Sequence, residues 1–402
     1  MNKTLGSTLI TSGTMIGAGI AMPLTSAGIG FTFTVVLLIL LWILLTYSAL
    51  LFVEVYQTAE HDAGIGTLAA QYFGRPGRIV ATSVLMIFLY ALLSAYVTGG
   101  GAILASTLPD FATPDLKMKG SILAFTIFFG IFVAIGTSFV DALNRFLFIA
   151  MIAALFIVLG LMIPEIKIDN LMAMPIDKAL LISASPVFFT AFGFHGSIPC
   201  LNKYLEGDVK ALRFSIIVGS AITLVGYILW QFSTHGVLSQ TRFLEILNQD
   251  PTLNGLIEAV RVITGSTIIA AVVKIFSALA LITSFLGVAL GLLECIDDLL
   301  KRVFNFSANR LSLGFLTFLP PLLFAFYPEG FILALGYAGQ MFAFYAVVLP
   351  AALVWKARHQ HPNLPYRVPG GSGFLLFVSI LGSIIVCIPF LIKLGVLPPV
   401  VG

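Results

Sequence analysis

Charge is scarce in this chain of 402 residues, because Asp, Glu, Lys and Arg together make up only 10% of it. A soluble domain usually carries about 25% charged residues. With 59% hydrophobic residues and a mean hydropathy of +1.06, the chain holds more apolar material than one buried core can use. The shortage of charge therefore excludes a soluble globular protein and indicates a membrane protein.

Cysteine and histidine are also scarce. The three cysteines, Cys200, Cys295 and Cys387, have no metal-like spacing and form no disulfide framework. The five histidines are scattered, and no phosphate-binding P-loop is present. We therefore expect no cofactor, no enzymatic activity and no ATP-driven step. The net charge of +3 is spread over short loops and gives no reason to expect nucleic acid as a partner.

Eleven apolar stretches follow one another, each near the roughly 20 residues that a helix needs to cross a bilayer. The first contains glycines and a proline and leads directly into the second, so it is interpreted as a span and not as a cleaved signal. We predict an all-α polytopic membrane protein, with one surface helix in the longest loop, 235–265. The predicted spans are 5–27, 30–56, 79–104, 121–138, 145–162, 179–201, 214–234, 268–294, 311–327, 331–355 and 374–394.

The positions of Lys and Arg predict the orientation, since these residues are enriched in cytoplasmic loops. A cytoplasmic N-terminus and a periplasmic C-terminus place most of the 21 Lys and Arg residues on the inner side. Lys274 is left inside span eight.

Two spans contain glycine and proline where a continuous helix is expected. In span one Gly17 stands six residues before Pro23, and in span six Gly193 stands six residues before Pro199. Glycine weakens a helix by about 1 kcal/mol and proline removes a backbone donor, so both segments are predicted to unwind. Small residues that allow tight helix packing are the alternative. Paired interrupted helices in two halves are typical of a transporter site built on inverted repeats.

The chemistry of the two breaks suits a zwitterion. Freed N–H groups at a half-helix N-terminus can receive a carboxylate, and freed carbonyls can receive an ammonium group. Aromatic side chains of the second break can wall a ring. The residues concerned are Gly17, Ala18 and Gly19 in the first break, and Phe192, Gly193 and Phe194 in the second.

Ionisable residues inside spans are functional candidates by default. Glu54 is predicted to accept hydrogen bonds from the unwound backbone of a broken helix, or else to be an interfacial carboxylate. His195 could carry a coupling proton, or be a structural imidazole. Lys274 could take part in coupling, or extend its ammonium group towards the interface.

Further candidates are hydroxyl and gate residues. Thr283 and Ser284 could coordinate a sodium ion together with carbonyls of span one, or bond back to the preceding helical turn. Asp141 and Arg145 flank the inner end of span five as an anchor or gate pair. A second inner gate is expected between Lys3 and the end of span eight, at Asp297 or Asp298.

Both breaks also resemble motifs of a known family. The segments 13–19 and 22–23, and then 192–199, are similar to the first-span and sixth-span motifs of the hydroxy and aromatic amino acid permeases. These belong to the amino acid–polyamine–organocation superfamily. The resemblance extends through 46–57, 136–148, 283–293 and 330–339, and so covers essentially the whole chain. One departure is that the first motif is one residue short between Gly19 and Met22.

The resemblance implies a leucine-transporter-type fold in a single transmembrane domain, 1–402. Its five-plus-five inverted repeat would comprise about 5–163 and 179–355, with an extra helix at 374–394. It implies import of tyrosine across the bacterial inner membrane by proton symport, with tryptophan or serine cargo, or sodium coupling, as alternatives. A membrane enzyme acting on lipid-linked substrates is a remote alternative.

The resemblance also implies site residues. It adds Gly13 and Thr14 to the first break, and it places His195 beside the substrate. Tyrosine as cargo requires a partner for its phenol hydroxyl, for which Tyr90 is a candidate, with Tyr96, Ser94 and Thr98 as others.

Overall fold

The structure is a computed structural model that describes residues 3–61, 63–109, 113–327 and 330–400, without the side chains of 137, 138, 141, 142, 302–304, 330 and 331. This part of the chain is helical, with single turns of tighter or wider helix at Ile163–Glu165, His195–Ser197 and Phe344–Val348. The α-helices are α1 (Lys3–Gly13), α2 (Ile16–Gly19), α3 (Met22–Ser26), α4 (Phe31–Tyr56), α5 (Ile65–Ala105), α6 (Pro114–Ile135), α7 (Thr137–Met162), α8 (Ile168–Leu171), α9 (Leu180–Ala191), α10 (Ile198–Tyr204), α11 (Val209–Val237), α12 (Gln240–Gln249), α13 (Leu253–Thr264), α14 (Thr267–Phe304), α15 (Arg310–Ala325), α16 (Gly330–Ala343), α17 (Leu349–Gln360) and α18 (Ser372–Lys393).

The predicted spans correspond to helices in the predicted order. In the described ranges, nine helical segments are long and apolar enough to cross a membrane. The two other predicted spans are the first, which is divided into α1, α2 and α3, and α15, which has 16 residues. The all-α multi-pass architecture is thereby confirmed.

Apolar side chains point outwards from these helices. Phe146 and Ile149 on α7 are each 70% exposed, and Phe156 is 66% exposed. Such a surface is unfavourable in water, but it matches the hydrocarbon core of a bilayer. The exposed faces therefore support the membrane assignment independently of helix length.

Helix packing brings the two broken segments together. Helices α1 and α4 pack on α11, and α9 packs on α16. The short helix α2 contacts both α9 and α14. The first break thus lies between the second break and the long helix α14.

The two ends of the bundle differ. The end that holds Gly30 is covered, since every residue from Met15 to Gly30 is buried. The loop around α8 and helix α12 form this cover, with the Ile176 N–H donating to Gly28 O (2.9 Å) and Gln240 Nε2 donating to Ala27 O (3.1 Å). The loop 235–265 forms two helices, α12 and α13, so the prediction of one surface helix was wrong.

The opposite end holds Lys3, and the exposed positions beside both breaks lie on that side. Thr14 and Gly196 are both exposed. A side chain added at Gly196 would meet only Leu85 Cδ1, at 4.0 Å. The breaks are therefore covered towards the Gly30 end, and each has one exposed residue on the side of Lys3.

Candidate functional site

The first break consists of two turns that interrupt a single span. Helix α1 ends at Gly13, and the second interruption falls at Ile20 and Ala21, between α2 and α3. Pro23 stands in the first turn of α3, where its missing N–H costs little. The first span is therefore broken, as predicted.

The second break separates α9 from α10. The Gly193 N–H donates to Thr190 O (3.0 Å) and the Phe194 N–H donates to Phe192 O (2.9 Å), so the chain turns tightly and does not continue the helix. One 3₁₀ turn at His195–Ser197 precedes α10. The sixth span is also broken, as predicted.

The glycines of the first break let two helices approach its backbone. A Cβ added at Gly17 would lie 1.8 Å from Ser284 Oγ and 2.9 Å from Ala280 O, both on α14. A Cβ at Gly19 would lie 2.1 Å from the ring of Tyr227 on α11. Glycine is therefore required at both positions for packing, whatever its part in binding.

Tyr227, which the sequence analysis missed, connects the two breaks. Its hydroxyl oxygen is 2.6 Å from Met15 O in the first break and 2.6 Å from Ala191 O at the end of α9. The side chain is buried, and its ring meets Phe192 edge-on with centroids 5.5 Å apart. The only signal in the sequence was a tyrosine in the middle of an apolar span.

The two hydroxyls of α14 have different surroundings. Thr283 Oγ1 donates back to Ala280 O (3.0 Å) and lies 3.8 Å from Met151 Sδ, as expected for a helical threonine. Ser284 Oγ is buried against Gly17, has no hydrogen-bond partner on its own helix, and interacts with the Tyr96 side chain. Ser284 thus directs its hydroxyl to the first break and not to its own helix, unlike Thr283.

The residues described offer no cluster of His, Cys, Asp or Glu that could hold a metal ion. A sodium ion would instead need neutral oxygens, which are hard ligands of the kind that this class of cation prefers. Ser284 Oγ and Ala280 O are oxygens of α14 beside Gly17, whereas Thr283 Oγ1 lies next to them towards Met151. Their chemistry fits the sodium alternative.

His195 lies in an aromatic enclosure. Its Nε2 is 2.9 Å from Ser48 Oγ on α4, and Nδ1 has no hydrogen-bond partner among the described atoms. Phe52, Phe194 and Phe342 surround the ring, with centroids 6.2, 4.6 and 5.1 Å away. The two phenylalanines of the second break therefore have different neighbours, because Phe192 faces Tyr227 whereas Phe194 faces His195.

Glu54 binds an arginine and a loop, and not a broken helix. Its carboxylate forms a two-fold ion pair with Arg358 of α17 (Nε–Oε1 2.6 Å, Nη2–Oε2 2.8 Å) and accepts from the Val368 N–H (2.7 Å). The Glu54 side chain is 0% exposed. The prediction that it caps unwound backbone was wrong, because a nearer charged partner takes both oxygens.

Two more predicted residues, Tyr90 and Lys274, interact with the neighbouring helices α15 and α6. The Tyr90 hydroxyl donates to Leu316 O of α15 (2.8 Å), whereas Tyr96 is buried near Tyr227 and Ser284. Tyr90 is thus engaged by a neighbouring helix. Lys274 is half-buried and close enough to Lys117 of α6 for the two charges to interact.

Of the two predicted gate pairs, the one at Lys3 forms with a different partner. Lys3 pairs with Glu206 (2.6 Å) and not with α14, where Asp297 pairs with Lys301 (2.7 Å). The Lys3 ammonium group lowers the pKa of Glu206, so the pair is retained at neutral pH and lost only as the pH falls through that lowered value. The side chain of Asp141 lies outside the described structure, so its pairing with Arg145 stays a prediction.

Above the first break, a polar cluster lies at the closed end. Ser26 Oγ on α3 donates to Gln231 Oε1 (3.1 Å) and is 2.9 Å from His235 Nε2. All three side chains are buried. This contact fixes α3 to α11 and helps to close the Gly30 end.

Comparison with known proteins gives a consistent result. The sequence matches the tryptophan/tyrosine permease family over residues 1–389. It is 70% identical to the tyrosine-specific transport system 1 of Haemophilus influenzae, over the full length of both chains. The tyrosine-specific transport system 2 of the same species is 54% identical, over all of this chain and 99% of that protein.

A solved structure supports the fold. A manganese transporter of Eremococcus coleocola, solved with an aromatic bis-isothiourea compound, has a TM-score of 0.63 over 97% of this chain and 85% of that chain. At 12% identity the likeness concerns the fold alone. The leucine-transporter-type architecture is thereby confirmed.

Proposed function

The chain belongs to the tryptophan/tyrosine permease family, and from this premise we propose that it imports tyrosine across the bacterial inner membrane in symport with protons. The family is one of transporters, not enzymes. The observation that carries the cargo is the 70% identity, over both full lengths, with a tyrosine-specific transport system.

The proposed binding mode uses both breaks. The backbone N–H groups at Gly17, Ala18 and Gly19 would receive the carboxylate of tyrosine. Carbonyls of the second break near Phe192 and Gly193 would receive the ammonium group. The burial of these segments between α9 and α14 supports the proposal, because hydrogen bonds to charged groups are strongest where water is excluded.

The proposed mechanism is alternating access around this site. The bundle that carries the breaks would rock against the remaining helices. The cover at Ala27 and Gly28 and the exposure of Thr14 and Gly196 fit a state open towards the Lys3 end. With the N-terminus inside, this state would release tyrosine into the cytoplasm.

Coupling by protons is proposed for His195, whose buried imidazole has one nitrogen without a partner among the described atoms. Sodium coupling at Thr283 and Ser284 is the second candidate, supported by the Ser284 hydroxyl, which lies against Gly17 and has no hydrogen-bond partner on its own helix. Proton coupling would require the His195 side chain, whereas sodium coupling would require the hydroxyls of Thr283 and Ser284.

The test is uptake of radiolabelled tyrosine by proteoliposomes, with an inward proton gradient and without sodium. We expect uptake that needs the gradient and that excess tyrosine abolishes, whereas tryptophan, phenylalanine and serine compete weakly. If tryptophan or serine competed more strongly than tyrosine, that amino acid and not tyrosine would be the cargo.

Two variants separate the coupling ions. His195→Gln should remove the dependence on the gradient, whereas His359→Gln, at an exposed position, should leave it unchanged. Uptake that requires sodium and fails in Ser284→Ala would contradict proton coupling.

A further inference from the structure

The hydroxyl of Tyr227 has more acceptors than it can serve. A phenol carries one O–H donor, yet the oxygen lies 2.6 Å from both Met15 O and Ala191 O. Only one of these carbonyls receives the proton at a time. The other faces an oxygen at hydrogen-bond distance with no hydrogen between them, which is electrostatically unfavourable unless a further donor enters.

The position of this hydroxyl is fixed on several sides. The Tyr227 ring lies against the backbone of Gly19, where an added Cβ would be 2.1 Å from it. The Phe192 ring meets it edge-on at 5.5 Å, and the side chain is only 3% exposed. The hydroxyl therefore cannot swing away from the carbonyls without moving one of the breaks.

Three oxygens from three spans thus converge at one point. They are the carbonyl of Met15 in span one, the carbonyl of Ala191 in span six and the hydroxyl oxygen of Tyr227 in span seven. Ala191 is the last residue of α9, and the final carbonyls of a helix have no intrahelical donor. These three oxygens form a corner whose single hydrogen-bond donor is the Tyr227 O–H, so that it has more acceptors than donors.

We infer that Tyr227 is a binding residue for the ammonium group of the substrate, which binds at this corner of three oxygens. An ammonium group has three N–H donors and no acceptor, and so supplies what the corner lacks. When it binds, the phenol donates to one carbonyl, and the ammonium group donates to the other carbonyl and to the phenol oxygen. This inference rests on the proposed transport of an amino acid.

Tyr227→Phe tests the inference, because it keeps the ring against Gly19 and removes only the hydroxyl. The inhibition constants of tyrosine and of its desamino analogue, 3-(4-hydroxyphenyl)propionate, are measured against labelled tyrosine uptake. We expect the constant for tyrosine to rise about tenfold or more, the usual effect of losing a hydrogen bond to a charged group. The constant for the desamino analogue should stay within about twofold, because it has no ammonium group to be placed.

Tyr56→Phe is the matched control. Tyr56 is a buried tyrosine whose hydroxyl has no hydrogen-bond partner among the described atoms, so both constants should stay at their wild-type values. Inhibition constants do not depend on how much protein folds, and a purely structural role would weaken both ligands equally.

Three results would overturn the inference. These are equal weakening of both ligands in Tyr227→Phe, an unchanged or tighter constant for tyrosine, and a sodium-dependent tyrosine affinity that Tyr227→Phe abolishes. The last would assign the three oxygens to a metal cation.

If Tyr227→Phe yields no folded protein, Tyr227→Leu, which also removes the hydroxyl, must show the same selective loss, and equal weakening of both ligands there also overturns the inference. If the wild type carries another amino acid, the same comparison is made with that amino acid and its desamino analogue. Failure of the cargo assignment is thereby separated from failure of the inference.

Discussion

At the scale of single residues, Gly17 is the tightest point of the candidate site. A methyl group there would overlap Ser284 Oγ, at 1.8 Å, and would press on Ala280 O at 2.9 Å. The second contact is with backbone, which cannot rotate away. We expect Gly17→Ala to lower tyrosine uptake about tenfold or more, since such overpacking costs about 1–3 kcal/mol.

The control for this variant is on the neighbouring helix. A Cβ at Gly287 of α14 meets nothing within 4 Å, so Gly287→Ala should transport normally. Uptake is measured per amount of monodisperse protein in the membrane. Wild-type uptake by Gly17→Ala would show that α2 and α14 are further apart than described.

Glu54 leads to a prediction about stability. It is 0% exposed, and its partner Arg358 is 15% exposed, so this ion pair is largely removed from water. Removing one partner of a buried pair leaves an uncompensated charge and costs up to about 3–5 kcal/mol. We expect Glu54→Gln to lower the melting temperature of the purified protein.

Glu60→Gln is the comparison, because Glu60 is exposed and exposed ion pairs contribute about 0–1 kcal/mol. Equal melting temperatures for Glu54→Gln and Glu60→Gln would contradict a stabilising role of the buried ion pair between Glu54 and Arg358.

These residues also show where sequence reasoning ended. The glycine–proline spacing was sufficient to predict both breaks, because helix breaking is a local property. The partner of Glu54 lies 304 positions away, and the acceptors of Tyr227 lie 212 and 36 positions away. Such contacts depend on how spans pack, and composition or periodicity along one span carries no information about them.

At the scale of helices, a seam of small and hydroxyl residues joins α1 to α11. Ser7 Oγ and Ser215 Oγ are 2.5 Å apart, and Ser12 Oγ and Thr223 Oγ1 are 3.0 Å apart. In a bilayer, close approach of small residues and hydrogen bonds between helices replace the hydrophobic effect as the forces that join them. The first half of span one and span seven therefore form one packed unit.

Gly219 tests this seam. A Cβ there would be 2.7 Å from Thr11 Cβ and 2.8 Å from Thr8 O, so Gly219→Ala should force α1 away from α11 and destabilise the protein by about 1–3 kcal/mol. Gly226 lies two turns further along α11 in open space. Gly226→Ala should be neutral or stabilising by about 0.5–1 kcal/mol, because alanine favours a helix. Thermal melts that rank the two variants in the opposite order would contradict the seam.

Sequence reasoning predicted correctly the helices that length and hydropathy determine, and it was wrong for the helices of a loop, which other signals determine. The long apolar runs became spans. The loop 235–265 was assigned one helix but forms α12 and α13. The chain turns at Asp250, whose side chain accepts from the Thr252 N–H (3.1 Å), and Thr252 Oγ1 accepts from the Asn254 N–H (3.1 Å) at the start of α13. This capping signal is short and local, and hydropathy does not register it.

At the scale of the whole molecule, the opposite ends of the bundle predict its orientation in the membrane. The Lys3 end also holds Arg213 and Arg358, which contact the loop before α18 through Tyr366 and Val368. Lys and Arg concentrate on the cytoplasmic side, so the side of the breaks that holds the exposed Thr14 and Gly196 should face the cytoplasm. An importer needs such a state in order to release its cargo.

Single cysteines at the two ends check this orientation, in a variant without Cys200, Cys295 and Cys387. Glu60→Cys lies at the Lys3 end and Lys178→Cys at the Gly30 end, and both positions are exposed. In spheroplasts, an impermeant maleimide should label Lys178→Cys at once and Glu60→Cys only after the membrane is permeabilised. The reverse pattern would place the open side in the periplasm, so that this state would take up tyrosine and not release it. Because every span is fixed relative to the others, one correctly labelled pair determines the direction of the whole bundle.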